Sequence, residues 1–276
     1  MSHSHHAPLG RRRSTSRASA ITALLVTMAA LILAPSALAG KPKGEFSVFA
    51  DCPLATKGVS QCVYSQFTGG KVVIGPESIP INKTITLQGG LIVTEKEETF
   101  VNVTEGTTLS KTAEEVPGGF EGHAVISTLE LVGAVTLSRT NLAAGKGVAL
   151  KLPVRVHLTN PVFGEGCFIG SSTSPITLNL TTGSTSPPAP NKSITGTPGT
   201  LESRDSGNLI LYKGNSLVEN AFSVPTAHGC GAPTAEAILD PIINTMFGLP
   251  SAGGYNTAIL SGTSQFASAE AVRASE

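Results

Sequence analysis

The side chains able to do chemistry are few and scattered. His123, His157 and His228 lie far apart and serines are abundant, so a Ser-His-acid triad is a formal possibility with no motif behind it. There is no G-x-S-x-G turn, no H-E-x-x-H, no phosphate-binding Gly-Lys-Ser/Thr loop and no Asp-rich calcium loop. Gly164-Glu165-Gly166 opens like a dinucleotide fingerprint, but Ile169 stands where its last glycine belongs and no helix follows. The adjacent acids Glu97-Glu98 and Glu114-Glu115 would point to opposite faces of a strand, so neither is an acid/base couple; both read as surface charge. His228 stands two residues before Cys230 and could bind a metal only if that cysteine were free. His157 shares a polar face with Lys151, Arg155 and Thr159, a basic stripe expected to be a solvated sheet face. No catalytic, cofactor-binding or metal-ligating residue is expected from these patterns, and no cofactor.

The four cysteines, Cys52, Cys62, Cys167 and Cys230, carry the firmer chemistry. With no CxxC among them, an even count reads as two disulfides in an oxidising compartment. Three pairings are possible. Cys52 with Cys62 and Cys167 with Cys230 is favoured, because the first two bracket a short segment holding Pro53 and Gly58.

That compartment agrees with the start of the chain. Arg11, Arg12, Arg13 and Arg17 precede an apolar run from Ile21 to Leu33 that closes with Pro35 and Ala37-Leu38-Ala39, the pattern of a secretory signal peptide. Ser14-Thr15-Ser16 replaces the bulky pair that twin-arginine export wants, so general secretion with cleavage after Ala39 is expected. The apolar run is short for a membrane span, and none is expected after the leader is removed. Residues 1–39 hold four of the 19 basic residues and no acid, leaving 15 against 19 acidic, a net charge of −4 that argues against a nucleic-acid partner. Leu249-Pro250-Ser251-Ala252-Gly253 resembles a wall-sorting signal but lacks the apolar run and basic end that should follow it. Asn82, Asn102, Asn179 and Asn191 head glycan-acceptor triplets of a kind that arise by chance in Thr- and Asn-rich strands.

The elements that must position these groups are strands. Val148, Leu150, Leu152, Val154, Val156 and Leu158 alternate with Ala149, Lys151, Pro153, Arg155 and His157, one half-buried strand. Ile176, Leu178 and Leu180 resume the pattern, and antiparallel pairing of the two is expected, with a crossover connection as the alternative that the intervening residues leave room for. Further strands are expected at Glu45–Phe49, Cys62–Phe67 and Lys71–Ile74 with Gly69-Gly70 as a turn, and at Ile85–Leu87, Leu91–Val93 and Phe100–Val103. The run Ala124–Leu137 reads as one long strand or two bent at Gly133. Leu209–Tyr212 and Ser216–Val224 read as two strands split by Lys213-Gly214-Asn215, and Thr257–Leu260 as the last. The proline-rich stretch from Thr181 to Gly199 reads as a crossover between sheets, with a subdomain boundary near 183–199 as the alternative. One short helix is expected near the C-terminus, with Asp240 as cap, Pro241 in the first turn and Gly248 closing it, followed by a frayed tail. The composition, with 30 Gly and 18 Pro, suits an all-β antiparallel sandwich or barrel of roughly ten strands, built as a single domain over 40–276.

Leu150-Lys151-Leu152-Pro153-Val154-Arg155-Val156-His157-Leu158, the loop Cys167-Phe168-Ile169-Gly170-Ser171-Ser172, and Pro175-Ile176-Thr177-Leu178-Asn179-Leu180-Thr181-Thr182-Gly183 together resemble a family of actinobacterial secreted proteins of unknown function. Asp240-Pro241-Ile242-Ile243-Asn244 and Gly248-Leu249-Pro250 are similar to that family's C-terminal part. The resemblance implies an exported β-rich protein and brings no catalytic residues. The expectation is therefore a secreted, non-catalytic extracellular or cell-envelope protein with a structural or binding role, its partner an envelope component. A carrier of a lipid or other apolar small molecule in a β-sheet cavity is the alternative, and a secreted hydrolase the third reading. The absence of Trp and the presence of only 3 Tyr weaken a sugar-binding role without excluding it.

Overall fold

The computed structural model describes residues 40–95, 97–232 and 234–276, so the expected signal peptide lies outside the described residues. Two antiparallel sheets face each other as a sandwich, and neither closes into a barrel. The strands are β1 Gln61–Ile74, β2 Glu77–Pro80, β3 Ile85–Val93, β4 Glu98–Asn102, β5 Ala113–Phe120, β6 His123–Leu131 and β7 Thr136–Leu137. They continue as β8 Leu150–Thr159, β9 Phe168–Ile169, β10 Ile176–Leu180, β11 Thr200–Arg204, β12 Leu209–Glu219, β13 Ala227–His228 and β14 Thr257–Ser268. The helices are α1 Arg139–Ala144, α2 Glu236–Phe247 and α3 Ala269–Ala274. The first sheet runs β11-β12-β14-β1-β3-β4 with β2 beside β1, and the second runs β13-β9-β8-β6-β5 with β7 and β10 also on β8.

β8 is the axis of the second sheet, and four strands divide its two edges. Leu131 to Ile126 of β6 pair with Val154 to Thr159, and β7 takes Leu150 and Lys151 on the same side. Opposite, β10 pairs antiparallel with Leu150 to Val154, as expected, and β9 takes Val156 and His157. The inward set, Leu150, Leu152, Val154, Val156 and Leu158, is buried. Val148 is not part of it: it is 41% exposed and precedes the ladder, because the Asn141 side chain of α1 binds its carbonyl at 2.8 Å.

Two expected turns are bulges inside long strands. Gly69-Gly70 lies within β1 and Lys213-Gly214-Asn215 within β12, and both bulges face Gly262 of β14, which pairs with Phe67 on one side and Asn215 on the other. The three strands bend together at that level. A Cβ on Gly262 would sit 1.8 Å from the Gln66 carbonyl oxygen, so only glycine fits. Ser65, Ser264 and Asn215 fill the bend with a buried side-chain hydrogen-bonded row. Because β14 passes through the bend, it runs eight residues beyond the expected Leu260 to Ser268.

The outer face of the first sheet is covered by both ends of the described chain. The expected strand at Glu45–Phe49 is instead a 3-10 turn, Gly44–Phe49, whose threefold repeat sets Phe46 and Phe49 on one side. The expected frayed tail is α3: Ser268 caps it, Val272 is fully buried, and Arg273 donates to the Leu54 carbonyl at 2.6 Å. Phe49, Val59, Cys62, Leu209, Leu211, Ala267, Ala269 and Val272 form this second small core. α2 also starts earlier than expected: Ala235 precedes its first turn, Pro241 lies inside it, and Asp240 caps a different loop. The stretch after β10 crosses from the second sheet to the first, tied by bridges Thr181–Val218, Ser184–Thr195 and Thr197–Ser216.

Candidate functional site

The outer face of the second sheet collects the ring-bearing and cationic residues that sequence spacing left apart. Thr128, His157, Phe168 and His228 stand opposite one another on β6, β8, β9 and β13, one in-register row across four strands. Glu130 and Arg155 form the neighbouring row, two residues along the same strands and therefore on the same face. Arg155 donates from Nε and Nη2 to Glu130 Oε2 at 2.9 and 2.7 Å, while Lys111 Nζ donates to Oε1 at 2.9 Å. Burial alone would raise the Glu130 carboxyl, but the hydrogen bonds and charges of Lys111 and Arg155 outweigh it and hold the group below its ordinary value.

Phe168 is the centre of the array. The Arg155 guanidinium carbon lies 3.8 Å from its ring centroid, His157 stacks at 4.5 Å and 27°, and His228 lies at 6.2 Å and 37°. His157 Nε2 is 3.0 Å from the Glu165 carbonyl and His228 Nε2 is 3.1 Å from the Gly170 carbonyl. A carbonyl only accepts, so each Nε2 carries the hydrogen. Neither Nε2 is left to activate a serine. The second edge of the Arg155 guanidinium, Nη1 with the remaining Nη2 hydrogen, has no partner among the described residues.

A disulfide fixes this end of the sheet. Cys167 immediately precedes β9 and Cys230 lies two residues beyond β13; their sulfurs are bonded at 2.03 Å, and the Asp240 carboxylate of α2 accepts from the backbone N–H of Gly229 and Cys230. Two-residue strands cannot hold Phe168 and His228 by ladder bonds alone, and the crosslink supplies the rest. The second disulfide, Cys52–Cys62, ties the 3-10 segment to β1. Both bridges follow the favoured pairing and fit an oxidising, extracellular setting. His228 has no free cysteine beside it.

Two acids depart from the surface role expected of them, and one was missed. Glu114 is buried on the inner face of β5, where its Oε1 accepts from the N–H of Asn82 and Lys83 at 2.9 and 2.6 Å, whereas Glu115 is exposed. Glu98 accepts from the Arg139 backbone N–H at the start of α1, at 2.8 Å. Glu219, at the end of β12, is only 7% exposed; burial raises its carboxyl, partly offset by hydrogen bonds from the N–H of Ala221 and Asn220. The only sequence trace of Glu219 is an acid at an inward position of an apolar run, two residues after Leu217.

Between the sheets lies a cavity of about 30 Å³, lined by Ile74, Ile79, Ile81, Ile85, Leu129 and Val156 with Glu114 and Ser127 at one side. That is room for about one water molecule, far below the several hundred Å³ of a lipid or drug-sized site. Among the described residues no three His, Cys, Asp or Glu side chains gather as cation ligands, and no helix is long and apolar enough to cross a membrane. No family model, curated protein or solved structure matches the chain.

Proposed function

We propose that this is an exported, non-catalytic extracellular or cell-envelope protein that acts through the outer face of its second sheet. The observation carrying this reading is the contrast between its surfaces. The cavity between the sheets holds only about 30 Å³, and the 3-10 turn and α3 cover the part of the first sheet's outer face around Cys62, Leu209, Leu211 and Ala267. The opposite outer face carries Thr128, His157, Phe168 and His228 in register at an end fixed by a disulfide, with Arg155 and Lys111 beside the row on Glu130. The leader-like start and the resemblance of the β8 and β10 motifs to actinobacterial secreted proteins belong to the same reading. Sedimentation of the purified protein with the insoluble envelope fraction of its producing cells tests it. The wild type is expected to co-sediment, and His228→Ala with Lys151→Ala to remain in solution. Equal co-sedimentation of both proteins, or of neither, overturns the assignment of the face.

A further inference from the structure

We infer that the outer-face array is a binding site for a carboxylate-bearing glycan; this rests on the surface reading above. Three features define the ligand chemistry. The first is shape: a row across four strands spans three inter-strand spacings, about 14 Å at about 4.8 Å each, which suits a short run of a polymer rather than one small molecule. The second is the composition of that row. Thr128 offers a hydroxyl, and the exposed His228 ring stands beside the part-exposed stack of His157, Phe168 and Arg155, an amphipathic mixture suited to a sugar's apolar face and its hydroxyls together. These rings stand in for the missing Trp.

The third is charge. Residues 40–276 carry 15 basic against 19 acidic residues, yet this face sets Lys111, Lys151 and Arg155 against Glu115 and Glu130. Glu130 is internal to the array: it receives one edge of Arg155 and the Lys111 ammonium, and so orients both. The second guanidinium edge, without a partner among the described residues, is a planar fork matched to a carboxylate. Lys151 is exposed on the same face, two positions from Pro153 and four from Arg155 along β8, and adds a second charge along the strand. Glu165 of the adjoining loop engages His157 through its backbone carbonyl, and its exposed carboxylate places a third acid at the edge of the face.

The test is binding to immobilised polygalacturonate, with neutral dextran and phosphatidylglycerol vesicles as parallel probes. The wild type is expected to bind polygalacturonate, with affinity falling as salt rises, and to ignore dextran. His228→Ala with Lys151→Ala should weaken binding at least tenfold. Phe168→Ala should do the same, with circular dichroism confirming that it is folded, while Lys213→Ala on the first sheet changes nothing. Equal binding to dextran, binding to vesicles alone, no binding, or indifference to the paired substitution overturns the assignment. If polygalacturonate fails while the envelope sedimentation above still depends on His228 and Lys151, the ligand class falls and the face stands. If the sedimentation is equally indifferent, both fall.

Discussion

Removing the Cys167–Cys230 bridge, by Cys167→Ala with Cys230→Ala, tests how the array is held. The bridge closes a chain separation of 63 residues and Cys52–Cys62 one of 10. Restriction of the unfolded chain is then worth about 4.3 kcal/mol for the long loop and about 2.7 kcal/mol for the short one, a difference of about 1.6 kcal/mol. Cys167 and Cys230 are both fully buried, whereas Cys62 is fully buried and Cys52 half-buried, so the packing loss adds to the loop difference in the same direction. The chain has no Trp, so urea unfolding is best followed by far-UV circular dichroism. The long-loop variant should be the less stable of the two. It should also lose amide protection at Phe168, Ile169 and His228 before the rest of the second sheet, because those strands contain two residues each. A loss below about 1 kcal/mol, or uniform protection across β8, β9 and β13, would refute the idea that the crosslink holds the site.

Other outcomes follow from single positions. Glu219→Gln should flatten the pH dependence of stability: with the folded carboxyl raised, the folded chain keeps a proton that the unfolded chain has lost, so wild-type stability falls as pH rises through that window. At neutral pH the variant should be at least as stable as the wild type, and a variant that is less stable there but not at pH 4 would reverse the assigned sign. Gly262→Ala should cost about 3 kcal/mol in urea unfolding because its Cβ meets the Gln66 carbonyl at 1.8 Å; a loss under about 1 kcal/mol would mean the double bulge yields. Val154→Asp places a charge at a 1% exposed position between Leu131 and Ile176, and should abolish accumulation of folded protein; normal secretion of a stable variant would contradict the inward face of β8.

The parts of the fold that local alternation governs were legible. Leu150 to Leu158 and Ile176 to Leu180 carry their burial in a period of two, and the structure places them as expected. Glycine pairs were misleading because a glycine permits both a turn and a bulge; what decides between them is whether β14 supplies a continuous partner, and that is a long-range fact. The chain ends were misread for a related reason. Phe46, Phe49 and Val272 have no strong periodic context, and only the exposed back of the first sheet gives them something to cover. The array was half visible: Lys151, Arg155 and His157 fall on one face by parity, but Phe168, His228 and Glu130 join them through strand order and register, and Lys111 through its ion pair with Glu130. Glu114 looks like surface charge in the sequence because its partners, the N–H groups of Asn82 and Lys83, come from a distant loop.

The most direct test of action through the outer face is backbone amide chemical-shift mapping of the isotope-labelled protein on addition of solubilised fragments of its host's envelope. The account predicts perturbations confined to Thr128, Glu130, Lys151, Arg155, His157, Phe168 and His228 and their immediate neighbours. Perturbations centred instead on Ile74, Ile79, Ile81 and Ile85 would mean that the interior opens to take a ligand, and would contradict it.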